Sequence, residues 1–228
     1  MTPSAWRARL PRFLERYLWF FENAIRDGAA EFGRSMGKGA MVLDAGAGEG
    51  QYREYFDHCR YVGADLAIGD ANWNYAGLDV LCDLTRLPFP DGTFDGCLNI
   101  VTLEHVREPQ AVIGELGRTL KRGGRLFLVV PQDWEVHQAP HDYFRYTRYG
   151  VRHLLERAGF EEIRLEPGGG YFRLMGRRLL NGIGLFRGLW LVPAVLLLAP
   201  AGLLFPLLDG MDREKNFTLG YLCWARKR

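Results

Sequence analysis

Between residues 41 and 50 three apolar side chains, Met41, Val42 and Leu43, run into Asp44, and glycine then takes every second position at Gly46, Gly48 and Gly50. An apolar run of this kind reads as a buried strand. The glycines turn it sharply and bare its backbone N–H groups, because a Cβ at Gly46 or Gly48 would hold a ligand away. The chain is thus constrained to build a sheet whose strand ends carry a small-molecule cradle. Spacing narrows the ligand. A dinucleotide turn needs its third glycine at residue 51, counted from Gly46 and Gly48, and the chain has Gln51 there. Asp44, just ahead of the turn, also disfavours a pyrophosphate and suits a cationic ligand.

From residue 40 onward the pattern alternates strand and helix. Strands are predicted at 40–44, 61–65, 78–83, 93–100, 125–130, 160–166 and 217–226, and a helix begins at the glycine turn over 51–56. Pro109 suits the first turn of a helix to residue 121, with Val112, Ile113, Leu116 and Leu120 inward and Gly123–Gly124 as its break. Thr147 caps a helix that Gly159 ends. Such alternation gives an α/β fold: a Rossmann-like, doubly wound, seven-stranded and mostly parallel sheet. Ligands of these sheets bind beyond the carboxyl ends of the strands, where Asp44, Asp65 and Asp83 fall.

In order and register the run Val42 to Gly50, Val62-Gly63-Ala64-Asp65, Cys82-Asp83-Leu84 with Leu87-Pro88-Phe89, Phe94-Asp95, Leu103-Glu104-His105-Val106 and Leu120-Lys121-Arg122-Gly123-Gly124 resembles the class I S-adenosylmethionine-dependent methyltransferases. The likeness covers residues 40–166 and is nearest to the branch holding quinone-biosynthesis and other small-molecule methyltransferases. It implies an antiparallel last strand and S-adenosylmethionine as cofactor, with S-adenosylhomocysteine as product. It also implies roles. Ala45, Gly46 and Gly48 approach the methionine part and ribose, and Asp44 holds the loop and the amino group. Asp65 accepts from the ribose hydroxyls. Asp83 takes the adenine amine, Leu66 and Leu84 sandwich the ring, and Asn99 begins the floor near the methyl group. A lone strand-end Asp is more often a cap or a turn former; three at matching strand ends argue for a site.

Methyl transfer needs a positioned nucleophile, and a general base only where the acceptor is a neutral acid such as a hydroxyl. The candidates are His105, His137, His141 and Asp142. His105 serves equally well as a packing residue and His137 as a loop residue. The run Pro140-His141-Asp142-Tyr143-Phe144-Arg145-Tyr146 is too bulky for a solvated loop and reads as acceptor pocket. Within it His141 beside Asp142 is the candidate base, while Tyr143, Phe144 and Arg145 line the pocket. The cysteines Cys59, Cys82, Cys97 and Cys223 lie far apart, which predicts reduced thiols and no metal site. A net charge of +2 without a basic block predicts no nucleic-acid partner.

Two further stretches lie outside that pattern. Residues 12–35 repeat aromatic residues at helical spacing, with Arg7, Arg9, Arg12 and Arg16 among Trp6 and Trp19. They predict N-terminal helices over residues 1–39, read as a lid or as a membrane-surface segment; charges interrupt every apolar run, so no signal peptide is expected. Residues 168–216 separate two strands that should be sheet neighbours. After Arg173, Arg177, Arg178 and Arg187, residues 188–208 hold no charge and nine leucines. That length could span a bilayer, but both ends must return to one sheet, and Pro193, Pro200 and Pro206 should break it. The expectation is a hairpin of two short helices dipping into or lying on the inner face of the membrane of a cytoplasmic enzyme, between the methyltransferase domain's two pieces, 40–167 and 217–228. Its acceptor would be a small, lipid-like or lipid-linked molecule. The alternatives are a soluble enzyme of a polar metabolite that uses the leucines to bind a second copy of the chain, and a cofactor-binding protein without activity.

Overall fold

The computed structural model describes residues 11–69 and 72–228. Trp6, Arg7 and Arg9 lie outside them. The chain forms two compact units: Ile25–Glu166 with Gly220–Arg228, and Pro167–Leu219 with the described residues up to Ala24.

The first unit is built on seven strands, β1 (Met41–Ala45), β2 (Arg60–Asp65), β3 (Val80–Leu81), β4 (Phe94–Ile100), β5 (Leu120–Pro131), β6 (Phe160–Pro167) and β7 (Gly220–Lys227), in the order β3-β2-β1-β4-β5-β7-β6. β1 pairs in parallel with both β2 and β4, β4 with β5, and β7 runs antiparallel to β5. The chain leaves β1 toward β3 and then crosses to β4 on the other side. The switch point of the sheet therefore falls at the end of β1, where the glycine turn begins. Leu43, Cys97, Leu126 and Leu128 from the strands meet Val112, Ile113 and Leu116 of α3 (Pro109–Thr119) and Val151 and Leu155 of α4 (Arg148–Arg157) in one buried core. Thr147 caps α4, accepting from the Gly150 N–H.

Three local expectations are corrected. No α-helix follows the glycine turn; a 3-10 turn, Arg53–Phe56, takes its place. Residues 46–59 join β1 to β2, and the glycine turn uses the first five. A 3-10 turn rises about 2 Å per residue against about 1.5 Å for an α-helix, so it recovers the strand's length with fewer residues. β3 shrinks to two residues because the Asp79 carboxylate, not a backbone carbonyl, accepts from the Gly63 N–H. The helix predicted to reach residue 121 ends at Thr119, and β5 takes up Leu120 with a bulge opposite Phe94 and Gly96.

In the second unit, α1 (Arg12–Leu18) and the start of α2 (Phe20–Ser35) accompany a helical hairpin of α5 (Tyr171–Gly182) and α6 (Leu191–Leu204). Pro200 sits inside α6 and does not end it, so the hairpin turns before Leu191 and not at Pro200. A Cβ on Gly176 would lie 2.8 Å from the Gly202 carbonyl oxygen, and one on Gly202 would lie 2.7 Å from Leu180; the two helices touch through their backbones. The buried Asp209 carboxylate accepts from the N–H groups of Gly170 and Arg173 and caps α5. Arg173 pairs with Asp209 and Arg177 with Glu22, so two arginines expected to face headgroups hold the unit together. The helical stretch Gly188–Met211 is long and apolar enough to cross a membrane by length and composition. Leu189, Trp190, Leu196, Leu197 and Leu207 are all more than two-thirds exposed.

Candidate functional site

The glycine turn is fixed from below and from one side. Gly46 and Ala47 both donate to the Ala64 carbonyl at the end of β2. Gly46, Gly48 and Gly50 have φ of +86, +53 and +73, values that side chains rarely adopt. A Cβ on Gly46 would lie 2.3 Å from the Thr102 side chain, so this glycine is required by Thr102 as well as by its conformation. Asp44 lies fully within the sheet and accepts from the Tyr61 hydroxyl. Burial pushes its carboxyl up to about 7, against the pull of that hydrogen bond. Arg53 stacks 4.4 Å from the centre of the Tyr61 ring and pairs with Asp79 at 2.6 Å, closing a charged chain behind the turn.

Asp65 reaches across from β2. Its Oδ2 accepts from the Gly48 N–H at 2.9 Å and its Oδ1 from the Ala67 N–H at 2.7 Å, which leaves each oxygen further lone pairs. Trp73, which sequence reasoning passed over, lies against Gly48, 3.2 Å from where its Cβ would be. Of the other residues expected at the cofactor, Asp83 and Leu66 are exposed, and Leu84 and Asn99 are buried. Asp83 Oδ1 accepts from both the N–H and the hydroxyl of Thr85, a turn of its own. Leu84 is buried in the core while Leu66 is exposed. Asn99 is wholly buried between β4 and β1, its amide donating to the Ala45 carbonyl at 2.7 Å. Ala45 itself is the last residue of β1.

Across the switch point a short turn, Leu103–His105, meets the loop after β5. The N–H groups of Tyr143 and Phe144 donate to the Glu104 carbonyl, and the Tyr146 hydroxyl to that of Leu103. The expected pairing of His141 with Asp142 is not made. Asp142 takes a two-pronged bond from Arg145 at 2.6 and 2.8 Å and accepts from the His137 N–H. Arg145 draws its carboxyl down to about 2. Arg145 also donates to the carbonyls of Trp134 and Glu135, and thus fastens the loop. His141 Nδ1 is hydrogen-bonded instead to the Tyr143 hydroxyl at 3.1 Å, and that hydroxyl accepts from Arg107. Phe144 packs beside Tyr146.

The buried group sequence reasoning missed is Glu104. It is 1% exposed, and neither carboxylate oxygen has a hydrogen-bond partner among the described residues. Burial pushes its carboxyl up to about 8. His105 Nε2, 3.8 Å from Glu104 Oε1, is likewise unpartnered, and burial lowers the pKa of this imidazole. The His137 ring stands edge-on to that of His105 with centroids 4.7 Å apart.

Residues 43–128 match the family model of a methyltransferase domain. Among curated relatives, the tRNA (carboxymethyluridine(34)-5-O)-methyltransferase alkbh8 of Xenopus tropicalis is 29% identical over 113 residues, covering 47% of this chain and 18% of that protein. The ubiquinone/menaquinone biosynthesis C-methyltransferase UbiE of Desulfotalea psychrophila is 31% identical over 120 residues, covering 46% and 48%. The chain thus spans less than half the length of these relatives. In fold it is similar to a Burkholderia thailandensis 1,6-didemethyltoxoflavin-N1-methyltransferase solved with S-adenosylhomocysteine, at a TM-score of 0.57 and 20% identity over 97% of this chain and 86% of that one. With the glycine turn at the switch point of a seven-stranded sheet and Asp65 across from it, the chain carries over residues 43–128 a region that matches a methyltransferase domain.

Proposed function

We propose that the protein moves a methyl group from S-adenosylmethionine to a lipid-like or lipid-linked acceptor at the inner face of a membrane. Gly46 and Gly48 would admit the cofactor, Asp65 would hold its ribose, and Asp44 would complement its positive end. When bound, S-adenosylmethionine would supply a methyl group to the acceptor's lone pair, the carbon–sulfur bond electrons staying on sulfur as the neutral thioether of S-adenosylhomocysteine. Positioning does most of this work. Any acceptor proton leaves toward the rim lined by Tyr143 and Phe144, where His141, with the Tyr143 hydroxyl on its Nδ1, is the candidate base and Arg145 keeps the loop in place.

The observation that carries the acceptor class is the α6 surface. A run of exposed leucines on a helix apolar all round, with Trp190 at its start and Arg187 just ahead of it, suits a helix that enters the acyl layer with its basic end at the headgroups. Sedimentation with anionic vesicles tests it. The protein is expected to pellet with them, and Leu196→Glu/Leu197→Glu to remain in solution. Labelled cofactor incubated with a lipid extract should yield a labelled lipid. A detergent-free dimer that ignores vesicles and methylates only polar metabolites would replace this reading with the soluble enzyme.

A further inference from the structure

We propose that Glu104, His105 and His137 form a binding site for one divalent transition-metal ion of the zinc type, with a coordination position left open beside the acceptor rim. One ligand atom from each lies within 4.8 Å of the others. Ligands about 2.1 Å from a shared tetrahedral ion stand about 3.4 Å apart, so closing on an ion requires movements of about an ångström. Two imidazoles and a carboxylate favour zinc, iron or cobalt over magnesium or calcium, which prefer oxygen ligands alone.

Three independent features aim at a ligand. Glu104 buries a carboxylate with no hydrogen-bond partner among the described residues, an arrangement that is unfavourable in an unliganded protein. The rings are set in the tautomer that metal binding uses. His105 Nδ1 donates to the His141 carbonyl at 2.6 Å and His137 Nδ1 to the Glu135 carbonyl at 3.0 Å. A carbonyl can only accept, so in the neutral rings the lone pair sits on Nε2. The supporting shell is braced as well: Asp142, locked by Arg145, accepts from the His137 N–H and has its Oδ2 3.4 Å from His137 Nδ1.

The position gives such an ion a use. Glu104 lies two residues beyond Thr102, whose side chain abuts Gly46 of the cofactor turn. Three protein ligands leave a place for an acceptor oxygen, and an ion there would acidify a hydroxyl without a protein base. That use rests on the methyl-transfer reading; the binding site does not.

Protein stripped with a chelator and dialysed is titrated with Co2+ and Zn2+, reading visible Co2+ absorption and calorimetric stoichiometry. The expected result is one ion per chain, with Zn2+ displacing Co2+, and an affinity loss of at least a hundredfold in His137→Ala and in Glu104→Gln. If Glu104→Gln fails to fold, His137→Ala on its partly exposed loop carries the test, its fold checked by circular dichroism. Absence of stoichiometric binding by the unaltered protein overturns the proposal, and so does binding that survives His137→Ala. S-adenosylmethionine affinity, measured separately, reports on the methyltransferase reading alone.

Discussion

The two rims of the switch point differ in how they answer their acidic groups. On the β1–β2 side four acids are answered by the chain itself: Asp44 by Tyr61, Asp65 by the Gly48 and Ala67 N–H groups, Asp79 by Arg53, Asp83 by Thr85. On the β4–β5 side Glu104 and His105 present atoms that nothing among the described residues meets. One rim is a finished mould for a ligand held by backbone geometry. The other is incomplete until something binds.

The largest effect should come from the mould. Gly46→Val drives a Cβ into Thr102 in a left-handed conformation, and should lower unfolding free energy by more than about 3 kcal/mol in denaturant melts. Arg145→Ala strands the buried Asp142 on the other rim and should cost about 2–3 kcal/mol, read the same way. Asp65→Ala should weaken S-adenosylmethionine binding by roughly ten- to a hundredfold in calorimetry, since it removes charge-assisted hydrogen bonds. Undiminished binding would show that the turn is not the cradle.

Asp44 gives a pH signature. Its folded pKa of about 7 lies above its ordinary value of 3.8, so the stability it contributes is full below about pH 4 and is lost as pH rises through 7. A cationic ligand prefers the ionised form. Cofactor affinity should therefore rise roughly tenfold from pH 6 to pH 8, and Asp44→Asn should flatten the curve. The smallest effect has the opposite sign. Glu104→Met replaces an unpartnered carboxyl with an apolar group of similar length and should stabilise the metal-free protein by up to about 1 kcal/mol, whereas Asp44→Leu should destabilise it. A loss of stability on Glu104→Met in metal-free protein would put the two rims on the same footing.

The mould was legible because it is local: strand, acid and alternating glycines are ten consecutive residues, and Asp65 is recognisable at the end of the next apolar run. The 3-10 turn after it was not, because helical spacing over residues 51–56 says nothing of how much chain must be retraced. Pro200 misled for a related reason. A proline removes one N–H from a helix, and on the exposed side of α6 that loss does not force an end. Glu104 and His137 are thirty-three residues apart and meet only because β5 and its loop fold back over the Leu103–His105 turn; no period or spacing marks them. The adjacency of His141 and Asp142 was visible in sequence yet empty of meaning, since Arg145 claims the acid.

The contact of Gly176 with Gly202 bears on how the apolar hairpin would behave outside water. Helices held together by burying leucines lose that incentive in oil, where the solvent is as apolar as the side chains. A backbone-to-backbone crossing depends on shape and dispersion, which oil leaves intact. The hairpin is thus built to stay a hairpin in either medium, its outer leucines free to exchange water for acyl chains.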